Sequence, residues 1–273
     1  TMSDLTKREA HFEFGENWAD LAEKLTPDHV ARSTESLARL LPEGLNGASF
    51  LDIGCGSGLS AVAAARLGAA RIDAVDIDEN SVRTAENVLA QFAPDVQRRV
   101  RLATVFDLSP DRDGLFDVVH SWGVLHHTGD MVRAVRTAAA LVRPGGLFVV
   151  ALYSKTRLCG AWTVEKRLYS RAPKVVQKIA QLAYASIHLP RHAIAHRRDA
   201  LALIREYSAR RGMNYWNDVH DWLGGYPYES ATPDEADAMV GQEFARERAF
   251  ITVGRLGLFG SGCNEFVYLR RSV

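Results

Sequence analysis

The chain has 273 residues, of which 47% are hydrophobic and 24% charged, a composition typical of globular proteins that excludes disordered and collagen-like chains. Basic and acidic residues number 33 each, yet residues 151–213 hold 13 basic and 3 acidic residues, a net charge of +10. Three cysteines far apart in the chain exclude a disulfide framework and favour a reducing compartment. We therefore expect a cytoplasmic protein with neither a secretory leader nor a membrane-spanning helix.

Short apolar runs alternate with helical patterns through residues 48–153. The predicted strands cover residues 48–54, 72–77, 100–105, 116–121 and 147–153. The predicted helices cover residues 60–67, 78–94 and 130–142. Strands separated by helices of this length form right-handed βαβ units, so the pattern predicts an α/β fold with a doubly wound, mostly parallel sheet.

The remainder of the chain has a different pattern. The basic stretch at 155–213 shows no convincing strand and predicts two or three helices, broken near Pro173 and near Pro190. A helix at 234–245 follows, and then two strands at 248–253 and 265–269 that are separated by a glycine-rich turn at 257–262. The basic stretch is therefore interpreted as an insertion into the α/β fold.

A glycine-rich turn joins the first predicted strand to the first predicted helix. Residues 51–58 read LDIGCGSG. Glycines there let a ligand approach the backbone closely, and the following helix N-terminus favours negative charge. Leu59 stands where a dinucleotide fingerprint needs its third glycine, which disfavours NAD and FAD. A tight strand-to-helix connection without a ligand is the alternative interpretation.

Further motifs accompany this turn: VDID at 75–78, FD at 106–107, FDVVHSWGVLHH at 116–127 and LVRPGG at 141–146. Together they resemble class I S-adenosylmethionine (SAM)-dependent methyltransferases, in the branch that includes the ubiquinone-biosynthesis methyltransferases. The resemblance is specific over 48–153 and looser over 226–270. It implies SAM as the cofactor and a Rossmann-like sheet of seven strands, the last antiparallel. The helical insertion after strand five comes from the sequence pattern and matches no family that we can assign.

The predicted elements, the charge pattern and the resemblance together divide the chain into four expected parts. Residues 1–47 form an N-terminal helical segment that acts as a lid, and residues 48–153 form the SAM-binding core. Residues 154–231 form the basic helical insertion, expected to contact substrate or a partner. Residues 232–273 supply the last helix and two strands that complete the core.

The resemblance also assigns cofactor-binding residues. Asp76 matches the acidic residue that binds the ribose hydroxyls, and Asp107 with Phe106 matches the position that contacts the adenine. The amino-acid end of SAM is expected over residues 54–58. Cys55 is expected to pack beside the glycines rather than act as a nucleophile. The full implied set is Asp52, Gly54, Cys55, Gly56, Gly58, Asp76, Ile77, Phe106, Asp107, Ser121 and Trp122.

Two histidine features are candidates for chemistry. His126 and His127 follow strand four, beside the expected methyl group, and either suits removal of a proton from a substrate hydroxyl. We favour His126; the alternative is that one histidine bonds backbone or packs under the cofactor. His188, His192 and His196 have the i, i+4, i+8 spacing of metal ligands on one helix face. Because Pro190 interrupts that helix, we predict a solvated basic face and no metal.

Aromatic residues outside the core are the candidates for substrate binding. The N-terminal stretch contains Trp18, and a second aromatic cluster lies between the insertion and the last helix. Apolar walls with a few polar groups are typical of small-molecule pockets. The alternative is that these residues anchor the N-terminus and form the interface between insertion and core. The predicted substrate-binding residues are Trp18, Tyr215, Trp216, Tyr226 and Tyr228.

These features predict a SAM-dependent methyltransferase acting by in-line displacement on a small-molecule acceptor that is anionic or lipid-linked. In the superfamily that the chain resembles, an Asn-Pro-Pro-Tyr sequence after strand four implies a nucleobase or glutamine-amide acceptor, and its absence here disfavours both. The basic insertion leaves two alternatives open: an RNA methyltransferase with an RNA platform, or a non-catalytic SAM-binding subunit. The stretch at 174–189 is compatible with a peripheral membrane contact, a homo-oligomer contact or an ordinary packed helix.

Overall fold

The computed structural model describes residues 25–196, 199, 202, 204, 205, 207, 215–252 and 262–272. Seven strands form one sheet in the order β3-β2-β1-β4-β5-β7-β6. The strands are β1 (Ser49–Ile53), β2 (Arg71–Asp76), β3 (Gln97–Leu102), β4 (Phe116–Trp122), β5 (Val142–Tyr153), β6 (Phe244–Phe250) and β7 (Cys263–Arg270). The first five pair in parallel, and β7 is antiparallel to both β5 and β6. The prediction of a seven-stranded, mostly parallel sheet is therefore confirmed.

Helices connect and cover these strands. They are α1 (Pro27–Leu40), α2 (Leu59–Arg66), α3 (Glu79–Phe92), α4 (Pro110–Asp113), α5 (Met131–Ala140), α6 (Cys159–Ser170), α7 (Lys174–His196), α8 (Tyr215–Gly224) and α9 (Pro233–Val240). Side chains at the N-caps define where several helices begin. The Asp78 carboxylate accepts from the Ser81 N–H at the start of α3, and the Asp130 carboxylate accepts from the Arg133 N–H at the start of α5.

The core lies on both faces of the sheet. Successive side chains of a strand point to opposite faces, so Phe50 packs with α1, α2 and α3 while Leu51 packs with α5 and α9. On β5, Val149 and Val150 divide between the two faces in the same way. This burial on both faces explains why the sequences of the central strands are mostly apolar and do not alternate between apolar and polar residues.

The ends of segment 154–231, which contains α6, α7 and α8, lie side by side. Ser154 and Ala231 form an isolated parallel bridge, and the Ala231 N–H donates to the Tyr153 carbonyl at 2.9 Å. The chain thus leaves the end of β5 and returns to it before α9 begins. None of the described helices has the length and apolar character needed to cross a bilayer.

Three boundary predictions near the sheet edges are wrong. β3 begins at Gln97 instead of residue 100, and β6 covers Phe244–Phe250 instead of 248–253. Both are edge strands that carry charged residues, because an edge strand has one neighbour and buries less of its surface. Helix α9 ends at Val240 instead of residue 245, where Gly241 takes a φ of +105°.

Two predictions for segments that contain a proline are also wrong. Pro190 lies inside α7 and does not end it, because a proline removes a single i to i−4 hydrogen bond and a packed helix can continue past it. Strand β5 begins at Val142 instead of residue 147, and its pairing with β4 is irregular there. The predicted break near Pro173 is confirmed, since α6 ends at Ser170 and α7 begins at Lys174.

Candidate active site

The strand order reverses between β1 and β4, the place where an open α/β sheet is expected to form its ligand crevice. From β1 the chain crosses to β2 on one side, while β4 and β5 lie on the other. Ligands of open α/β sheets bind at such a switch point, beyond the carboxyl ends of the strands. The loop 54–58 after β1, the end of β2 and the turn after β4 all meet this edge.

The loop 54–58 has a backbone that only glycines adopt readily. Gly54, Gly56 and Gly58 have φ angles of +76°, +50° and +78°. The Gly54 and Cys55 N–H groups donate to the Val75 carbonyl at 2.8 and 3.1 Å, which ties the loop to β2. A Cβ at Gly54 would overlap the side chain of Val124. The glycines thus allow the loop to fold back closely against both β2 and the turn after β4.

Gly58 provides the first testable prediction. A Cβ at this position would lie 2.9 Å from Cα of Ala85 in α3, and its positive φ adds about 1–2 kcal/mol of strain to any L residue. Gly58→Ala is therefore expected to lower the free energy of unfolding by about 2 kcal/mol or more, measured by urea denaturation. Gly160→Ala is the control, because a Cβ there meets nothing within 4 Å. Equal stability of the two variants would contradict this packing role.

Asp76 lies at the end of β2, and the backbone holds its carboxylate in place. One oxygen accepts from the Gly56 N–H and the other from the Asp78 N–H, each at 3.0 Å. Each carboxylate oxygen keeps a second lone pair, so two further donors can bind. Burial raises the pKa of Asp76 to about 6. This geometry is compatible with the predicted binding of a pair of ribose hydroxyls.

Asp52 is a second carboxylate below the loop. Its Oδ1 lies 2.8 Å from Nδ1 of His120, and both side chains are buried. Its Oδ2 is also buried and has no hydrogen-bond partner within the described part of the chain. A buried oxygen of this kind is costly unless a donor reaches it. The arrangement fits the ammonium end of an amino acid such as the one expected over 54–58.

His120 carries no local motif that predicts a role for it. The signal that could have found it is register, because Asp52 and His120 are direct partners across the parallel β1 and β4 pair. Asp52 and His120 are both buried, and buried polar side chains that lie opposite each other are expected to pair.

Cys55 is buried beside both carboxylates. Burial, with the nearby charges of Asp76 and Asp52, raises the pKa of its thiol well above the ordinary value. The nucleophilic form of cysteine is the thiolate, so the structure supports packing of Cys55 and not nucleophilic chemistry. Ile77 follows β2 and is partly exposed at the same edge.

The remaining predicted cofactor residues follow β3 and β4. Asp107 accepts from the Thr104 N–H at 3.1 Å within a single turn, and the Phe106 ring lies 4.6 Å below the Arg133 guanidinium. Ser121 is buried and donates to the Ile53 carbonyl at 2.9 Å. Trp122 is half-exposed, with its indole N–H bonded to Glu265. Their contacts with cofactor remain predictions.

The two histidines differ in exposure. The His126 ring is fully buried, and its centre lies 3.9 Å from the Tyr153 ring. Burial, with a smaller contribution from His127, holds the pKa of His126 well below its usual range. His126 is therefore a neutral, packed side chain, and the structure does not support our preference for it as the base.

His127 is half-buried and held by a different contact. Its Nδ1 lies 2.7 Å from the Pro227 carbonyl oxygen. A carbonyl only accepts, so Nδ1 carries the proton and Nε2 keeps the lone pair in the neutral ring. A Cβ at Gly225 would lie 2.8 Å from Cε1 of His127. The segment after α8 thus sets the orientation of this imidazole.

The predicted substrate-binding residues separate into two groups. Tyr228 is buried with its ring centre 5.2 Å from that of Tyr153, and so joins the histidine pair. Tyr215 and Trp216 pack with α6 and α7 in a helical core that lies within the insertion itself. Tyr226 is buried just after α8. Trp18 lies outside the described residues.

Of the three helical histidines, His188 stacks on Tyr184 with ring centres 5.1 Å apart. The side chains of His192 and His196 lie outside the part that the structure describes. Among the residues that the structure describes, no three His, Cys, Asp or Glu side chains are grouped so that they could hold a metal ion.

Comparison with known proteins assigns the family. A family model described as a methyltransferase domain matches residues 23–214. The ubiquinone biosynthesis O-methyltransferase of Caulobacter vibrioides is 35% identical over 151 residues, which cover 51% of this chain and 59% of that protein. The enzyme of the same name from Xanthomonas campestris pv. campestris is 37% identical over 112 residues, which cover 41% of this chain and 46% of that protein. The chain spans about half the length of the curated relatives it matches.

Solved structures support the fold. A magnesium protoporphyrin IX methyltransferase from Synechocystis, solved with S-adenosylhomocysteine, superposes with a TM-score of 0.53 at 18% identity, covering 89% of this chain and 84% of that one. A SAM-dependent methyltransferase from Mesorhizobium loti superposes with a TM-score of 0.51 at 19% identity. The superposition covers 87% of this chain and 98% of that one. Because the family model spans more than half of the sequence, the chain belongs to the methyltransferase-domain family of class I SAM-dependent methyltransferases.

Proposed function

We propose that the chain is an O-methyltransferase that methylates a hydroxyl group of a small-molecule acceptor, which is anionic or linked to a lipid. The observation that carries the proposal is the contact of His127 Nδ1 with the Pro227 carbonyl at 2.7 Å, which fixes the tautomer whose Nε2 holds the lone pair of a general base. The imidazole lies just beyond β4, at the edge of the sheet where the cofactor crevice is expected. The name O-methyltransferase of two relatives also supports oxygen as the methylated atom.

Bound SAM supplies an electrophilic methyl group on a positively charged sulfur. The protein then has to hold the acceptor oxygen in line with that group, about 3 Å away, and exclude water. Asp52 and the loop 54–58 would hold the amino-acid end, and Asp76 would hold the ribose. His127 would remove the hydroxyl proton as the acceptor becomes a stronger nucleophile.

Lys166 supports an anionic acceptor. Its side chain is 2% exposed and donates to the Trp222 carbonyl. Its Nζ lies 5.4 Å from the centre of the Tyr228 ring, which in turn contacts Tyr153. Burial lowers the pKa of Lys166 to about 8, so most molecules still carry the charge at pH 7. Glu165 lies 3.8 Å from the same Nζ, but an ammonium has three donors, so one can still bind a carboxylate or phenolate beside the Tyr228 ring.

Packing of the aromatic residues disfavours the RNA alternative. Stacking of bases needs exposed ring faces. Trp222 instead contacts Trp162 and Tyr184, with ring centres 5.2 and 5.0 Å apart. These aromatic rings of the basic segment pack against one another and are only partly exposed.

The proposed activity is tested with SAM labelled in its methyl group. The full chain is incubated with phenolic acids, neutral phenols, amines and bulk tRNA, and label transfer is measured for each class. We expect transfer to phenolic acids, at higher kcat/KM than to neutral phenols. Labelling confined to amines or tRNA, or SAM binding without transfer to any class, would refute the proposal.

Lys166→Gln tests the anionic acceptor separately. Loss of a charged hydrogen-bonding partner costs about 1.5–3 kcal/mol, so we expect the KM for a phenolic acid to rise at least tenfold while SAM affinity is unchanged. Arg167→Gln is the matched control, since Arg167 neighbours Lys166 on α6 but is exposed. A KM that rises equally for neutral phenols would show that Lys166 only supports packing.

A further inference from the structure

The helices α6 and α7 expose an unusual amount of apolar surface. Of the twelve large apolar side chains that are exposed in the described residues, seven belong to these two helices. Leu168, Val175 and Ile179 are 67%, 72% and 61% exposed. We define the apolar face as Val164 and Leu168 of α6 with Val175, Val176, Ile179 and Leu182 of α7.

The apolar face points away from the protein core. On α7, Val175, Ile179 and Leu182 follow the i, i+4, i+7 spacing of one helix face. Another side of the same helix holds buried Ala185, which packs with α6 and α8. An ordinary surface helix has polar residues on its outer face. Contiguous exposed apolar residues instead mark a surface that another body covers.

Positive charge borders the apolar face. Arg167, Arg171, Lys174 and Lys178 are all exposed. None of the first three forms an ion pair with an acidic side chain in the described part of the chain, and Nζ of Lys178 lies 5.1 Å from the centre of the Trp216 ring. Helix α7 contains no acidic residue, and the one acidic residue of α6, Glu165, lies 3.8 Å from Lys166.

We propose that the apolar face of α6 and α7 docks on the surface of an anionic lipid bilayer. Apolar side chains would enter the boundary between headgroups and acyl chains while the flanking cations meet lipid phosphates, the arrangement of interfacial helices. A second copy of the chain is a poorer occupant. A symmetric dimer would use the same face twice and bring the four cations of one copy against those of the other.

The inner side of α6 connects this surface to the candidate active site. The Cys159 sulfur lies 3.5 Å from the hydroxyl oxygen of Tyr228, and Nζ of Lys166 lies 5.4 Å from the centre of the Tyr228 ring. The outer side of the same helix carries Val164 and Leu168. Helix α6 therefore lies between the aromatic residues around His127 and the proposed bilayer contact. The docking proposal depends on the face alone and not on the proposed acceptor.

The experiment is co-sedimentation of the full chain with vesicles of phosphatidylcholine, with and without phosphatidylglycerol. We expect binding to the anionic vesicles that weakens with added salt. Exchange of Arg167, Arg171 and Lys174 for Gln should lower partitioning about fivefold per residue. The triple variant Val175→Ser, Ile179→Ser, Leu182→Ser should lower it at least tenfold.

Matched controls lie on other surfaces. Leu102→Ser with Leu115→Ser removes exposed apolar side chains elsewhere, and Arg32→Gln with Arg136→Gln removes exposed cations elsewhere; both should bind vesicles like the parent. SAM affinity verifies that each variant is folded. The proposal is overturned if the parent protein does not bind anionic vesicles. It is also overturned if the triple Gln variant and the triple Ser variant bind these vesicles as strongly as the parent does. A concentration-dependent dimer that the triple variant abolishes, without vesicle binding, would overturn it in favour of self-association.

Discussion

Replacing Asp76 by Ala is expected to weaken SAM binding at least a hundredfold while the fold is kept. The carboxylate has two lone pairs left for the ribose hydroxyls after it accepts from Gly56 and Asp78. A hydrogen bond to a charged group contributes about 1.5–3 kcal/mol, and two would be lost. Calorimetric titration with SAM measures the loss, and far-UV circular dichroism monitors the fold.

The pH dependence of SAM binding distinguishes the contribution of the Asp76 charge from the contribution of the side chain's shape. Burial raises the pKa of this carboxyl to about 6 in the free protein, and a protonated carboxyl no longer accepts two hydroxyl hydrogens. SAM affinity should therefore be constant above pH 6 and fall towards tenfold per pH unit as the pH drops further below 6. The Asp76→Asn variant should bind SAM weakly at every pH. Its SAM affinity should also lose the part of the pH dependence that comes from titration of Asp76.

Asp111→Ala serves as the control, because it removes an exposed carboxylate in α4. It should bind SAM with parental affinity and keep the same pH dependence. Parental affinity in Asp76→Ala would refute the ribose assignment, and an unchanged pH slope in Asp76→Asn would show that another group titrates.

The central strands could be predicted from sequence because both of their faces are buried. A strand such as β1 that packs on helices at both faces is mostly apolar, with Phe50, Leu51 and Ile53 in the core, and the glycines of the loop that follows are required by their positive φ angles. The edge strands β3 and β6 could not be placed with the same accuracy. Their residues alternate between partly buried and exposed, so charged side chains hide the strand pattern.

The candidate site could be predicted only as far as local motifs reach. The pairing of Asp52 with His120 depends on the register of two strands that are 68 residues apart in sequence. The exposure of His127 and the burial of His126 depend partly on residues 225–231, a hundred residues further along the chain. Tertiary contacts of this kind have no local signal. The aromatic cluster was likewise divided by the fold, with Tyr228 beside the histidines and Tyr215 among helices.

Replacing His127 by Ala is expected to lower kcat for a phenolic acceptor by about a hundredfold to ten-thousandfold, the usual contribution of a positioned general base. SAM affinity should not change, since the cofactor assignments lie on the loop 54–58 and on Asp76. Single-turnover measurements with labelled SAM would separate the chemical step from product release. His29→Ala is the control, because His29 is a half-buried histidine of α1.

A series of acceptors distinguishes proton removal from a structural role. A phenol of low pKa is already ionised near neutral pH and needs no base, whereas a weakly acidic phenol does. The loss of kcat in His127→Ala should therefore shrink as the phenol becomes more acidic. His126 cannot replace the missing base, because burial keeps its ring covered and its pKa well below the ordinary range. Equal losses across the whole series would mean that His127 positions the acceptor and takes no proton from it.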